Sequence, residues 1–243
     1  MIDNSAYTET FYENIYPSGQ LKKFSINWWS VRFYALIADR ILRKPGRICD
    51  AGCGLPFILS RLEKKHETWG IDISEYAHEH GKAIAPGSKI FRADIENGIP
   101  DEVPKGYFDL VMAKYLLEHL ENPGKAIGHF YDLVVSGGFL LIAVPNTKSP
   151  MRRVKKENWF ALKDKTHVSL LAPCQWEDLI KNSGFNQRQV FADGFWDVPY
   201  VNFLPNWLQY IIFSVPCAIE VFFARPMLPR QWGENIIIIA KKK

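Results

Sequence analysis

Ile48-Cys-Asp-Ala-Gly-Cys-Gly54 decides how this chain folds. An apolar run of strand length ends in an acid and two glycines, and residues with helical spacing follow. Glycine tolerates the left-handed backbone of a tight turn and lets a ligand come close to the main chain. A strand that turns this sharply into a helix leaves free N–H groups for a ligand, a device shared by several classes of nucleotide binder. Outward from this segment, short apolar runs at 47–50, 68–72, 89–92, 108–112 and 138–144 read as strands covered on both faces. Between them, 59–65, 74–83 and 123–135 mix apolar and polar residues at helical spacing. This alternation predicts an α/β fold with a doubly wound, mostly parallel sheet. Asn27 is expected to cap a helix over 28–42 that Pro45-Gly46 ends, making 1–46 a helical N-terminal cap. A basic loop is expected after Pro145, then a helix over 173–182 stopped by Gly184, a strand near 187–191 and a last strand over 235–240, with an apolar insertion at 197–233.

The 243 residues suit one domain with insertions, so 1–243 is read as a single unit. A net charge of +4 with scattered Lys and Arg does not call for a nucleic-acid partner. The cysteines at 49, 53, 174 and 217 form no CxxC pair and no zinc-like spacing with histidine, so no metal site and a reducing compartment are expected. The first residues carry no basic stretch leading into an apolar one, and a cytoplasmic location is expected.

Asp50-Ala-Gly-Cys-Gly54, Asp72, Asp94 and Phe108-Asp-Leu-Val followed by Leu117-Glu-His119 together resemble the class I S-adenosylmethionine-dependent methyltransferases, small-molecule branch, over roughly residues 30–190. The resemblance implies a Rossmann-like, seven-stranded sheet with an antiparallel final strand, and S-adenosylmethionine as cofactor. It implies that Asp50, Ala51, Gly52, Cys53 and Gly54 meet the methionine portion, as do Ala113, Lys114 and Tyr115. Asp72 with Ile73 would hold the ribose, and Asp94 with Ile95 the adenine. One departure stands out, since Pro56 occupies the place of the family's frequent third glycine. A dinucleotide fingerprint would need glycine at Phe57. The sequence Ala113-Lys-Tyr-Leu116 also differs from the Asn/Asp-Pro-Pro-Tyr/Phe of nucleic-acid amino methylation.

Methyl transfer from a sulfonium is an in-line displacement that depends mainly on positioning and desolvation. A base is needed only for a hydroxyl or a protonated amine, and His119 and His167 are the candidates, with Glu118 read as structural. The expected acceptor is an O or N atom of a small-molecule or lipid-linked compound; a non-catalytic S-adenosylmethionine-binding protein is the alternative. Tyr12 and Tyr16 are candidate lid residues, Arg32 a candidate partner for the cofactor carboxylate, and Trp28 and Trp29 are expected to pack on the sheet. Residues 203–224 match the length of a membrane span, but Pro205, Pro216 and Glu220 fit a bent helical flap over the acceptor pocket or a peripheral membrane contact better.

Overall fold

The computed structural model describes residues 7–223, 229 and 231–243. In chain order the elements are α1 (Glu9–Ile15), α2 (Ile26–Leu42), β1 (Arg47–Ala51), α3 (Leu59–Leu62), β2 (Glu67–Asp72), α4 (Glu75–Ile84), β3 (Lys89–Arg92), β4 (Phe108–Lys114), α5 (Pro123–Leu133), β5 (Val134–Pro145), α6 (Pro150–Lys155), α7 (Phe160–Lys163), α8 (Pro173–Asn182), β6 (Phe185–Ala192), α9 (Asn206–Phe223) and β7 (Asn235–Lys242). The strands form one seven-stranded sheet in the order β3-β2-β1-β4-β5-β7-β6. Neighbours from β3 to β5 run parallel, and β7 is antiparallel to both β5 and β6. This is the doubly wound sheet expected from the sequence.

Strand alternation builds a core on each face. Val111, Ala113, Ile236 and Ile238 face a cluster with Phe130, Trp176 and Ile180 of α5 and α8. Leu110, Met112, Ile237 and Ile239 face Val31, Tyr34, Ile37 and Ala38 of α2. The middle strands β4, β5 and β7 are therefore apolar over most of their length, as strands covered on both sides require. The expected N-terminal cap divides accordingly, because α2 covers a sheet face and only α1 lies over the strand ends. Ser25, not Asn27, caps α2, with its Oγ accepting from the Trp28 N–H at 3.1 Å. Asn27 instead donates its side-chain amide to Ile15 O, fastening α1 to α2.

Other boundaries also move. The helix expected over 59–65 is the single turn α3. Strand β5 begins at Val134, within the span read as the end of α5. The basic loop after Pro145 contains α6 and α7. Helix α8 follows its signals, with Pro173 in the first turn and Gly184 at φ +94 beyond its end.

The insertion before β7 carries α9, which packs along α2. The buried Gln209 amide holds its start, accepting from the Tyr200 and Val201 N–H groups and donating to Val201 O and Leu204 O. Arg40 of α2 donates to Phe223 O at the other end. Among the described residues no helix is long and apolar enough to cross a membrane.

Ahead of β7, the buried Glu234 carboxyl accepts from Trp159 Nε1 at 2.6 Å and Tyr200 OH at 2.5 Å, joining the segments after β5 and β6. Replacing Glu234 with Ala strands two buried donors, at about 1–3 kcal/mol each, and should lower unfolding stability by about 2–4 kcal/mol in denaturant titration. Burial pushes the Glu234 pKa up from 4.5 to about 7. The folded chain thus holds this proton more tightly than the unfolded one, and the resulting stability is full below 4.5 and lost as pH rises through 7. The melting temperature of Glu234→Gln relative to the parent should therefore rise across that window, and a flat difference would contradict the assignment.

Candidate functional site

A cavity of about 640 Å³ opens at the carboxyl ends of the parallel strands, where doubly wound sheets place ligands. Its floor is Asp50, Gly52, Cys53 and Gly54 from the turn after β1, with Asp72 and Ile73 beyond β2. Asp94 and Ile95 after β3, and Lys114 and Tyr115 at the end of β4, line the sides. Tyr7, Phe11, Tyr12 and Tyr16 form a roof, while His119, His167, Phe160 and Trp196 complete the wall. Two sequence-expected residues are absent from the lining. Ala51 and Ala113, paired across β1 and β4, point into the core because each strand alternates its faces.

Backbone geometry fixes the floor. Gly52 and Gly54 take positive φ of +71 and +48. The N–H groups of Gly52 and Cys53 both donate to Ile71 O, and Gly54 N–H donates to Asp72 Oδ2 at 2.7 Å. The other Asp72 oxygen accepts from Ser74 N–H at 2.9 Å. Ser74 in turn caps α4 and donates its hydroxyl to Tyr7 O, linking floor and roof. Burial raises the Asp72 pKa, against the pull of the Ser74 and Gly54 N–H groups. A Cβ on Gly52 would lie 2.9 Å from Leu116 side-chain atoms, so the turn itself requires a glycine here. With Pro56 in place of a third glycine, the helix after the turn starts only at Leu59.

Two opposite charges share the interior. Burial pushes the Asp50 pKa up to about 7 and the Lys114 pKa down to about 8, each opposed by the other's charge. The Lys114 ammonium lies 3.9 Å from the centre of the Tyr115 ring. Asp94 accepts from Glu96 N–H and from the Asn97 amide, so it shapes its own turn while lining the cavity.

The two candidate histidines meet, with ring centroids 4.6 Å apart. His119 ends the turn Leu117–His119 after β4, and its Nδ1 lies 2.9 Å from Thr166 Oγ1. The Thr166 hydroxyl donates to Asp164 Oδ1 at 2.6 Å. His167 Nδ1 is 2.7 Å from Ala161 O. Burial, and then the neighbouring His167, lower the His119 pKa to about 4, leaving this imidazole neutral at pH 7 and a weak base. Glu118 is buried and lines the cavity, and neither carboxylate oxygen has a partner. Burial pushes its pKa up to about 8.

Other expectations separate. Tyr12 and Tyr16 do face the cavity, and Tyr12 stacks on Tyr76. Arg32 instead lies exposed, 6.0 Å from the Trp28 ring, and Trp29 is 41% exposed, so neither meets the cavity or the sheet as read. No described residue of α9 lines the cavity. Phe160 and Trp196, whose rings are 4.8 Å apart, were missed because one opens the single-turn helix α7 and the other lies in a loop, and neither carries a periodic signal.

A family profile described as "Methyltransferase domain" matches residues 29–190. The chain is 28% identical over 162 residues to ajmaline N-methyltransferase of Rauvolfia serpentina, covering 58% of this chain and 55% of that protein. It is 37% identical over 99 residues to the ribosomal protein L11 methyltransferase of Burkholderia thailandensis, covering 39% of this chain and 30% of that protein. The matches thus span about half or less of these curated relatives. A solved structure from Thermotoga maritima, titled an S-adenosylmethionine-dependent methyltransferase and possible histamine N-methyltransferase, aligns with a TM-score of 0.62 at 18% identity, over 89% of this chain and 94% of that one, and shares the fold.

The positive φ and the Leu116 contact give a direct test of the floor. Gly52→Val should lower the melting temperature by several degrees even without ligand, since a β-branched residue at positive φ is strained. An unchanged melting temperature in differential scanning calorimetry would show that the turn accommodates a side chain.

Proposed function

Because the chain belongs to the class I S-adenosylmethionine-dependent methyltransferase family, we propose that its cavity binds S-adenosylmethionine and that it methylates an oxygen or nitrogen of a small-molecule or lipid-linked acceptor. The observation that carries this reading is the half-buried Asp72 carboxylate at the cavity floor, with a backbone N–H on each oxygen. Each oxygen keeps a further lone pair, and together they suit a ribose diol.

The remaining lining supports the same ligand. Lys114 and Asp50 bring opposite charges into one cavity and suit the carboxylate and ammonium of an amino-acid end. Gly52, Cys53 and Gly54 pass beside that end, Ile73 borders the ribose, and Asp94 with the Ile95 backbone faces the adenine. When bound, the cofactor supplies an electrophilic methyl group on a sulfonium. The tyrosine roof excludes water from the transfer path, while neutral His119, with the His167 ring beside it, accepts a hydrogen bond from the acceptor's O–H or N–H and aims its lone pair. Phe160 and Trp196 give the acceptor side an aromatic wall.

The lipid-linked and peripheral-membrane part of the proposal rests on α9. Trp207, Ile211, Ile212, Val215, Phe222 and Phe223 are all exposed along this helix, the arrangement of an interfacial element. Co-sedimentation with anionic phosphatidylglycerol vesicles should capture the protein. Changing Ile211 and Ile212 to Ser should release it without altering cofactor affinity, and a protein that binds no vesicle would limit the acceptor to soluble compounds.

Asp72→Ala should weaken S-adenosylhomocysteine binding in calorimetry by about ten- to a hundredfold, from the loss of charge-assisted hydrogen bonds of roughly 1.5–3 kcal/mol. An unchanged dissociation constant in a folded variant would place the ribose elsewhere. A metabolite screen that follows S-adenosylhomocysteine release tests the transfer itself.

A further inference from the structure

Glu118, His119 and His167 each offer one ligand atom, and the three atoms lie within 4.8 Å of one another on the cavity wall. We propose that this trio binds a divalent first-row transition-metal ion, with the side facing the cavity left open for an oxygen or nitrogen of the acceptor. Two imidazoles and one carboxylate around an open position are the donor set of catalytic zinc and related sites, and their nitrogens disfavour magnesium and calcium.

The surrounding hydrogen bonds prepare these side chains as ligands. The Thr166 hydroxyl spends its proton on Asp164 Oδ1, so Thr166 Oγ1 accepts from His119 Nδ1–H and leaves His119 Nε2 with a free lone pair. Ala161 O accepts from His167 Nδ1–H and sets the same tautomer there. A histidine ligand is held this way by carboxylates, hydroxyls and carbonyls behind it. Glu118 supplies the independent observation. It is 1% exposed, and both carboxylate oxygens are without a hydrogen-bond partner. A buried bare carboxylate is costly unless a cation or donor meets it. Metal–ligand bonds of about 2.0–2.2 Å would draw the widest pair together by roughly an ångström.

That the cation touches the methyl acceptor rests on the proposed transfer reaction; the cation site itself does not. A metal-bound hydroxyl or amine gives up its proton more readily, so the site would need no separate base.

The test uses Co²⁺ as a visible-absorbing probe on the metal-stripped chain without cofactor, with Zn²⁺ competition in calorimetry. The site predicts one Co²⁺ per chain with d–d absorption bands, displaced by Zn²⁺. His167→Ala and the near-isosteric Glu118→Gln should each weaken binding at least tenfold. Thr166→Val, which removes no ligand, should weaken it about ten- to a hundredfold. Circular dichroism and thermal melting report whether each variant is folded. Co²⁺ binding that is absent, or equal in the parent and in folded His167→Ala and Glu118→Gln variants, overturns the proposal. Failure of the methyl-transfer reading appears separately, as absent S-adenosylhomocysteine binding.

Discussion

One hydrogen bond, from the Gly54 amide to the half-buried Asp72 carboxylate, ties the carboxyl ends of the neighbouring strands β1 and β2 together at the ligand site. It needs Gly54 in a left-handed conformation and Asp72 ionised or strongly polarised in a place where burial opposes its charge. The same carboxylate accepts from Ser74, and Ser74 reaches Tyr7. Floor, first turn of α4 and aromatic roof are thus linked through one acidic group. Moving it would displace all three.

The fold was legible because its cause is periodic. Strands buried on both faces must be apolar over most of their length, and β1, β4 and β7 announce themselves in this way. The acids at strand ends were legible for a related reason, since Asp50 and Asp72 interrupt apolar runs where nothing in a core would favour a charge. What stayed hidden depends on contacts distant in sequence. Asn27 looked like a helix cap, but Ser25 reached the amide first and Asn27 was recruited by Ile15. Ala51 and Ala113 shared a motif with lining residues yet sit one position out of phase with the cavity. The bare Glu118 carboxylate was hidden because only the folded chain shows that its oxygens meet no donor. His119 and His167 could be suspected singly, whereas their pairing through Thr166 and Asp164 is a property of two loops brought together by β4 and β5.

The roof is held by few bonds. Tyr7 O to Ser74 and Ile15 O to Asn27 fasten its two ends, and between them the cover is aromatic contact, Tyr7 on Phe11, Phe11 on Tyr12 and Tyr12 on Tyr76. Ring contacts of this kind are worth about 0.5–1.5 kcal/mol each and have no fixed partner direction. Such a cover can shift by exchanging ring contacts, while the floor beneath it, locked by backbone geometry, keeps its shape. Rigidity and access are thereby assigned to different segments.

The position of β7 has a consequence for how the chain is made. It lies between β5 and β6, yet follows both in sequence with all of α9 interposed. While the ribosome is still extending α9, β5 presents an unpaired edge bearing Leu140, Leu141 and Ile142, and β6 has no neighbour at all. An open apolar edge invites pairing with other nascent chains. Synthesis rate through the insertion, chaperone occupancy of that edge and the speed with which Asn235–Lys242 closes the gap therefore bear on yield in the cell as much as the stability of the finished sheet does.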